Sequence, residues 1–261
     1  QKTREILAKA DLLCCLDFSS PSRLAPLDKE IENLATKILM IDHHLGKTDF
    51  ADYELWDTQA AAAAELVYDF ICMIGAKELI DIPVAQCLYA GIMTDTGSFK
   101  YPSTSSKIHL IAAELKKLGL NTSKIHNLIY DSNTEDRLRF LGHALLYNLK
   151  VFPEYRTAYF AISQEDIKRF NFQQGDSEGL VNYALSIEGI CFAATMIDYK
   201  KEIRISLRST GDFAVNAVAN KYFHGGGHKN ASGGRMTVSL EETVEIFTNF
   251  LPEYKEQLLN N

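Results

Sequence analysis

The chain has 261 residues and a formal net charge of −7 at pH 7, from 27 Lys and Arg against 34 Asp and Glu. A content of 46% hydrophobic and 23% charged residues, with 6 Pro and 15 Gly, excludes a disordered or fibrous chain. The length suffices for one large or two ordinary domains. The negative charge disfavours a long duplex nucleic acid as partner, so any phosphate chemistry must be local.

Two features bear on the compartment. The longest apolar stretch, residues 58–74, contains Glu65 and Asp69 and is shorter than the about 20 apolar residues that cross a bilayer, so no membrane span is predicted. The 5 cysteines form no CxxC motif, and an odd count without paired spacing is typical of a reducing compartment. We therefore predict a cytoplasmic location.

The first half alternates short apolar runs with helix-like segments, as the βαβ units of a parallel sheet do. The apolar runs predict strands at residues 12–16, 38–41 and 87–93. An alanine-rich stretch between Thr58 and Gly75 predicts a helix because it combines strong helix formers with a glycine stop. Two further helices are predicted after it, from Ser103 to Leu118 and over Thr122–Tyr130.

The second half has a different pattern. Residues 134–147 begin like a capping box and continue at helical spacing, which predicts a helix. Strands are then predicted at 157–162, 190–199 and 202–209, with helices around 177–187, 213–223 and 241–256. The predicted fold class is α/β, with a parallel-sheet domain (1–132), a helical linker (133–150) and a smaller α+β domain (151–261).

Each predicted strand of the first half is followed by or ends near an aspartate: Asp17, Asp42 and Asp95, with His43 and His44 directly after Asp42. Because the carboxyl ends of parallel strands meet at one edge of a sheet, we expect these side chains to converge. Converging carboxylates repel one another unless a cation lies between them. A mixed Asp and His set favours a first-row divalent ion such as Mn²⁺ over Ca²⁺ or a structural zinc. A lone Asp at a strand end is more often a cap or turn residue, but three with a histidine pair indicate a metal site.

The second concentrated signal is HGGGHKNASGG, residues 224–234, where five of the 15 glycines fall within ten positions. Such a run lets backbone N–H groups approach an anion, and His228 adds a side-chain donor. Arg208, at the end of a predicted strand, could add a bidentate phosphate or base contact. Taken alone, a glycine-rich turn after the helix predicted at 213–223 is more often a helix C-cap and loop.

The triplet Asp42-His43-His44, in IDHH, resembles the signature of the DHH phosphoesterase superfamily. Asp17 in CLDFSS resembles its second motif, Asp95 in TDTGSFKY its fourth, and GGGHKNASGG the signature of the associated substrate-binding domain. Three letters are a weak signal, but four elements occur in the family's order. The two-domain layout resembles the RecJ-like branch of nano-RNases and pAp phosphatases.

This resemblance implies two Mn²⁺ ions, with Mg²⁺ or Co²⁺ as alternatives. Asp17 would bridge the two ions, and His43 and Asp95 would be further ligands of one of them. His44 would face the scissile phosphate, and Asp42 would orient a histidine ligand. Two ions together would activate a shared water and neutralise phosphoryl charge.

In the second domain, the resemblance implies that Arg208, Gly226, Gly227 and His228 hold the rest of the nucleotide. The expected substrate is a short oligoribonucleotide or 3′-phosphoadenosine 5′-phosphate (pAp), and a homodimer is left open. The family's first motif, which supplies the other ion's ligands, has no match before Asp17. Since the chain begins with Gln1, we expect that motif upstream, and we expect this fragment to bind metal weakly and to have little activity.

Two alternatives remain open at this point. The first is hydrolysis of linear or cyclic dinucleotides. The second, of another class, is a nucleotide-binding or regulatory module that has lost catalysis, which the unmatched first motif favours.

Overall fold

A computed structural model describes residues 2–7, 9–24, 26–32 and 34–261. The chain divides into two compact units, Gln1–Ser132 and Asn133–Asn261. Within the described part of the chain, no helix is both long and apolar enough to cross a membrane.

The first unit combines a small parallel sheet with helices. Its elements are α1 (Lys2–Leu7), β1 (Leu12–Leu16), α2 (Asp28–Glu32), β2 (Lys37–Asp42), β3 (Tyr53–Trp56), α3 (Ala63–Met73), α4 (Ile82–Asp95), α5 (Ser106–Lys117) and α6 (Thr122–Tyr130). The strand order is β1-β2-β3 and both pairings are parallel, which confirms the predicted parallel sheet. Strand β2 is central and almost wholly buried, because it is apolar from Ile38 to Ile41.

The strand predicted at 87–93 is wrong, because these residues lie within helix α4. Its buried residues follow helical spacing: Ala85, Leu88, Tyr89, Ile92 and Met93. A short apolar run fits a strand and a buried helix equally well, and length and flanking residues must decide. The deciding signal is Asp81, whose side chain accepts the backbone N–H of Val84 at 3.0 Å, followed by Pro83 in the first turn.

The third strand of the sheet is instead β3, which the sequence prediction missed. It is only four residues long, and its two ends are exposed. The predicted alanine-rich helix begins later than expected, at Ala63, so that residues 58–62 form a connection ahead of α3, in which Ala60, Ala61 and Ala62 are buried. Helices α3 and α4 pack closely, since a Cβ at Gly91 would lie 2.8 Å from that of Ala64.

The second unit is built on a mixed six-stranded sheet with the order β4-β5-β6-β7-β9-β8. Its elements are α7 (Glu135–His143), β4 (Leu149–Phe152), β5 (Thr157–Ile162), α8 (Gln164–Arg169), α9 (Leu180–Leu185), β6 (Phe192–Asp198), β7 (Ile203–Ser209), α10 (Val215–Tyr222), β8 (Gly226–His228), β9 (Ala231–Met236), α11 (Leu240–Phe250) and α12 (Lys255–Leu259). Separate apolar clusters lie on the two faces of the sheet.

Residues 133–150, predicted as a helical linker, comprise α7, a π-helical turn over Ala144–Asn148 and the start of β4. Phe140 and Ala144 are fully buried among apolar residues of β5, β6 and α9. This segment therefore belongs structurally to the second unit.

Candidate metal centre and nucleotide-binding face

The site in the first unit begins where β1 ends. Asp17 follows Leu16 with a left-handed backbone (φ 67°), and its N–H donates to the Ile41 carbonyl at 3.0 Å. This bond continues the β1–β2 ladder by one residue. A non-glycine residue at positive φ is strained and persists where its surroundings fix it. Asp17 is thereby held beside the carboxyl end of β2.

His43 is oriented from behind by a backbone carbonyl. Its Nδ1 lies 3.1 Å from the oxygen of Ala60. Since a carbonyl can only accept, Nδ1 carries the proton and Nε2 is the nitrogen left to bind an ion. Nε2 lies 3.5 Å from Asp17 Oδ1 and 3.9 Å from Asp95 Oδ2. The structure thus brings the three predicted metal ligands together around this ring nitrogen.

Asp42 and His44 form the second part of the cluster. Asp42 is fully buried at the end of β2, and its Oδ1 lies 2.7 Å from His44 Nδ1. Trp56 Nε1 donates to the His44 carbonyl at 2.8 Å, which fixes this residue from the β3 side. Among the residues that the structure describes, none donates a hydrogen bond to Asp42 Oδ2. An unpartnered buried carboxylate oxygen is costly and typical of a functional site.

Asp95 reaches the cluster from the C-terminal end of α4 rather than from a strand. The chain turns sharply after it, with left-handed backbones at Gly97, Ser98 and Phe99. Thr96 is buried and supports this turn, because its hydroxyl accepts the N–H of Phe99 at 3.0 Å and its carbonyl accepts the N–H of Lys100 at 2.9 Å.

Burial and mutual contacts shift the pKa values of Asp17, His43 and Asp95. The contact with the His43 side chain holds the pKa of Asp17 below its ordinary value. Burial, together with the nearby charge of Asp17, raises the pKa of Asp95. Burial opposes protonation of His43, but Asp17, the Ala60 carbonyl and Asp95 outweigh it and raise the pKa of that ring. The pKa of one carboxyl is thus lowered and that of the other raised, beside one imidazole. This pattern is typical of a site that binds a cation.

The donor set fits a divalent ion. Two ligands each about 2.1 Å from a common ion lie roughly 3.0–4.2 Å apart, depending on the angle between them. The 3.5 Å and 3.9 Å separations around His43 Nε2 fall within that interval. In addition, one donor atom from each of Asp17, Asp42, His43 and His44 lies within 4.8 Å of the others. Oxygen and imidazole donors without thiolate suit Mn²⁺ or a similar ion.

In the second unit, strand register places three of the four predicted substrate-binding residues on one face. Arg208 of β7 and His228 of β8 both pair with Ala231 of β9, the strand between them. Residues directly opposite in a sheet point to the same side, so both side chains project from one face about 10 Å apart. Gly226 pairs with Gly233 in the next row of that face. We call this surface the Arg208/His228 face.

The glycines of the run have different structural roles. The run is not a simple loop, because β8 and β9 form a hairpin. Gly227 pairs with Ser232, and its φ of 143° and a virtual Cβ 2.7 Å from the Ala231 oxygen require glycine. A Cβ at Gly225 would lie 1.9 Å from the Gly233 oxygen, whereas one at Gly226 would meet nothing within 4 Å. The fold therefore demands glycine at 225 and 227 but not at Gly226.

Sequence reasoning missed the backbone groups that orient the site. The Ala60 carbonyl, which fixes the tautomer of His43, leaves no mark in residue type or spacing. Trp56 was also missed, although a lone tryptophan in a short alternating segment two residues before Thr58 is a usable signal for a strand near the site.

Comparison with known proteins supports this reading of the two units. Residues 1–92 match the family described as DHH family, N-terminal domain, and residues 156–257 match the DHHA1 domain. The chain is 29% identical over 223 residues to the bifunctional oligoribonuclease and PAP phosphatase NrnA of Bacillus subtilis, covering 84% of this chain and 69% of that protein.

Two further relatives extend this result. The chain is 30% identical over 211 residues to the probable bifunctional oligoribonuclease and PAP phosphatase NrnA of Streptococcus mutans, covering 80% of this chain and 66% of that protein. The crystal structure of an exopolyphosphatase-related protein from Bacteroides fragilis superimposes with a TM-score of 0.93 at 37% identity, covering 98% of this chain and 75% of that one. The chain therefore belongs to the DHH family and carries a DHH domain followed by a DHHA1 domain.

Proposed function

We propose that the protein is a metal-dependent phosphoesterase that hydrolyses short oligoribonucleotides, pAp or both. The observation that carries the proposal is the position of His43 Nε2, which faces Asp17 and Asp95 at 3.5 Å and 3.9 Å. The names of the Bacillus and Streptococcus relatives supply the substrate class.

Asp17, His43 and Asp95 would hold a divalent ion, for which we propose Mn²⁺. Bound ions of this kind lower the pKa of a bound water and offset charge on the phosphoryl oxygens. His43 would present Nε2 to the ion, because the Ala60 carbonyl holds the proton on Nδ1.

His44 is proposed to bind the scissile phosphate. Its Nδ1 donates to the buried carboxylate of Asp42, so the ring is fixed in one orientation. A protonated His44 would then donate from Nε2 to a phosphoryl oxygen. Asp42 acts here through His44, as the buried aspartate of a catalytic triad acts through its histidine.

The Arg208/His228 face is proposed to bind the remainder of the nucleotide. Arg208 offers the planar, bidentate donor geometry that suits phosphate, and His228 lies across one strand from it. Gly226, on the same strand as His228, keeps the surface beside that histidine low, which lets a ligand approach the backbone. Gly227 contributes through the hairpin conformation. A small nucleotide fits such a face better than a long duplex does, given the net charge of −7.

The proposal is tested by measuring Mn²⁺-dependent release of phosphate or mononucleotide from pAp, from RNAs of two to five residues and from a linear dinucleotide, on this chain and on a version extended upstream with the family's first motif. The variant Asp95→Asn should reduce release to background, because it removes a ligand oxygen and its charge. The matched control is Asp81→Asn at the other end of α4, where asparagine is an equally good helix cap.

The ranking of substrates decides the branch of the family. Faster release from pAp or short RNA supports the proposal, and a strong preference for the dinucleotide would replace its substrate class. Binding of nucleotide without release from any substrate would instead identify a binding module.

A further inference from the structure

Glu65 is a buried acid to which the proposed chemistry assigns no role. It lies in the first turn of α3 and is only 4% exposed. Carboxylates are rarely buried to this degree unless they are paired and hydrogen-bonded. The partners of Glu65 therefore indicate what it does.

Each carboxylate oxygen of Glu65 has a distinct partner. Oε2 accepts the backbone N–H of Ala61 at 2.9 Å, and Oε1 lies 3.0 Å from Lys107 Nζ on α5. Lys107 also lies 2.5 Å from Asp69 Oδ2, one turn further along α3. Asp69 thus shares the lysine with Glu65. Among the described residues it is Glu65, not Asp69, that accepts the backbone N–H of Ala61.

The N–H of Ala61 and the carbonyl of Ala60 belong to the same peptide unit. In a trans peptide these two groups point in opposite directions. On one side of the unit Glu65 accepts the N–H, and on the other side the carbonyl accepts Nδ1–H of His43 at 3.1 Å. A single peptide group therefore connects the buried carboxylate to the imidazole.

We infer that Glu65 is a positioning residue for His43, acting through the peptide that joins Ala60 and Ala61. The inference rests on the proposed function, in which His43 is a metal ligand. Glu65 fixes the orientation of the peptide, so that the Ala60 carbonyl faces Nδ1 and Nε2 faces Asp17 and Asp95. An acceptor at the N–H also polarises the peptide and strengthens the hydrogen bond at its carbonyl.

Within the described part of the chain, the acceptor of the Ala61 N–H is Glu65. Ala60, Ala61, Ala62 and Ala63 are 8%, 6%, 0% and 5% exposed, so water has little access to the peptide. A buried N–H needs an acceptor to stay in place. Without Glu65, the peptide would be expected to rotate toward another acceptor and release His43.

The test compares Glu65→Gln and Glu65→Leu with the matched control Asp69→Asn. Glutamine keeps an acceptor for the Ala61 N–H but loses the charge, leucine loses both at similar volume, and the control alters only the other acidic partner of Lys107. The first readout is the ring ¹⁵N and Nδ1–H chemical shifts of His43 in metal-free protein, which report tautomer and hydrogen-bond strength. The second is the Mn²⁺ dissociation constant.

We expect Glu65→Leu to lose the dominant Nδ1–H tautomer of His43 and to weaken Mn²⁺ binding about 10- to 100-fold, as loss of a group that supports a ligand does. Glu65→Gln should keep the tautomer, with a weaker Nδ1–H hydrogen bond and a smaller loss of affinity. Asp69→Asn should match the wild type in both readouts.

Unchanged His43 resonances in both Glu65 variants would overturn the inference, as would equal shifts in Asp69→Asn. If Glu65→Leu does not fold, the Nδ1–H shift of Glu65→Gln against Asp69→Asn still decides. Failure of the wild type to bind Mn²⁺ would overturn the proposed function instead, and the metal-free resonances would still test the role of Glu65.

Discussion

Each unit contains a short contact between an aspartate and a histidine, and the two contacts have different surroundings. His44 Nδ1 lies 2.7 Å from Asp42 in the first unit, and His143 Nε2 lies 2.8 Å from Asp166 in the second. Asp166 Oδ2 also accepts from the Ser163 N–H, the Ser163 hydroxyl and Asn148 Nδ2. Asp42 Oδ2 accepts nothing from the described residues. A buried Asp–His pair whose carboxylate oxygens all accept hydrogen bonds, which we call saturated, stabilises a fold. A buried pair with one carboxylate oxygen lacking a donor is more typical of a functional site.

The two proposed binding surfaces also differ in how the fold builds them. The metal centre depends on side chains that strand and helix ends bring together, whereas the Arg208/His228 face also depends on glycines, which contribute no side chain. Gly225 and Gly227 are required by the fold, and Gly226 is not. The predictions below separate fold from function in each region.

The largest expected effect is on the stability of the β8–β9 hairpin. Gly225→Ala should lower the free energy of unfolding by about 3 kcal/mol or more, because its Cβ would lie 1.9 Å from the Gly233 carbonyl oxygen. Gly226→Ala should change it by less than about 0.5 kcal/mol, yet weaken nucleotide binding. Urea unfolding and nucleotide titration of both variants check this, and equal destabilisation by the two would contradict the assignment of roles.

The next effect concerns the Arg208/His228 face. His228→Ala should raise KM about 10-fold or more, the loss expected for a hydrogen bond to a charged group. Its Mn²⁺ affinity should stay close to that of the wild type. Steady-state kinetics with metal titration measure both, and an unchanged KM would return the glycine run to a purely structural role.

A smaller effect is expected at the pair of His143 and Asp166 in the second unit. Burial opposes ionisation of Asp166, but Ser163 and His143 outweigh it and hold the pKa of this carboxyl below its ordinary value. Asp166→Ala should therefore cost about 1–2 kcal/mol at neutral pH. The part of this difference that comes from ionisation should be fully present above the unfolded pKa of about 3.9 and be lost as the pH falls through the lower folded pKa. Altered Mn²⁺ binding by the variant would show that the pair is more than structural.

The smallest effect has the opposite sign. Burial and Asp17 raise the pKa of Asp95, so its ionised form destabilises the metal-free fold above the unfolded pKa of about 3.9. Asp95→Asn should therefore stabilise metal-free protein at neutral pH, by less than about 1 kcal/mol because the side chain is 40% exposed. The gain should vanish in acid, and thermal unfolding across pH measures it. A loss of stability at pH 7 would contradict the repulsion described for this cluster.

The sequence predicted much of this arrangement and missed specific parts for physical reasons. Strands β1 and β2 were recognisable because they are short apolar runs, and Asp17 and Asp42 therefore fell at one sheet edge. Asp95 was assigned to a strand and lies at a helix end, but it still reaches the cluster, because the C-terminal end of α4 lies at the same site.

Other features could not be read from residue pattern. The peptide between Ala60 and Ala61 serves His43 and Glu65 through backbone atoms, which any residue type would supply. The distinction between Gly226 and Gly227 depends on hairpin register, which a run of glycines does not specify.

The most direct test of the metal centre is the ¹⁴N hyperfine coupling of bound Mn²⁺, measured by pulsed electron paramagnetic resonance on the wild type, His43→Ala and the control His126→Ala. His126 lies on α6 beside Tyr89 and outside the cluster. The account predicts a histidine nitrogen coupling in the wild type and the control that is lost in His43→Ala. A coupling that persists in His43→Ala would contradict the assignment of His43 as a metal ligand.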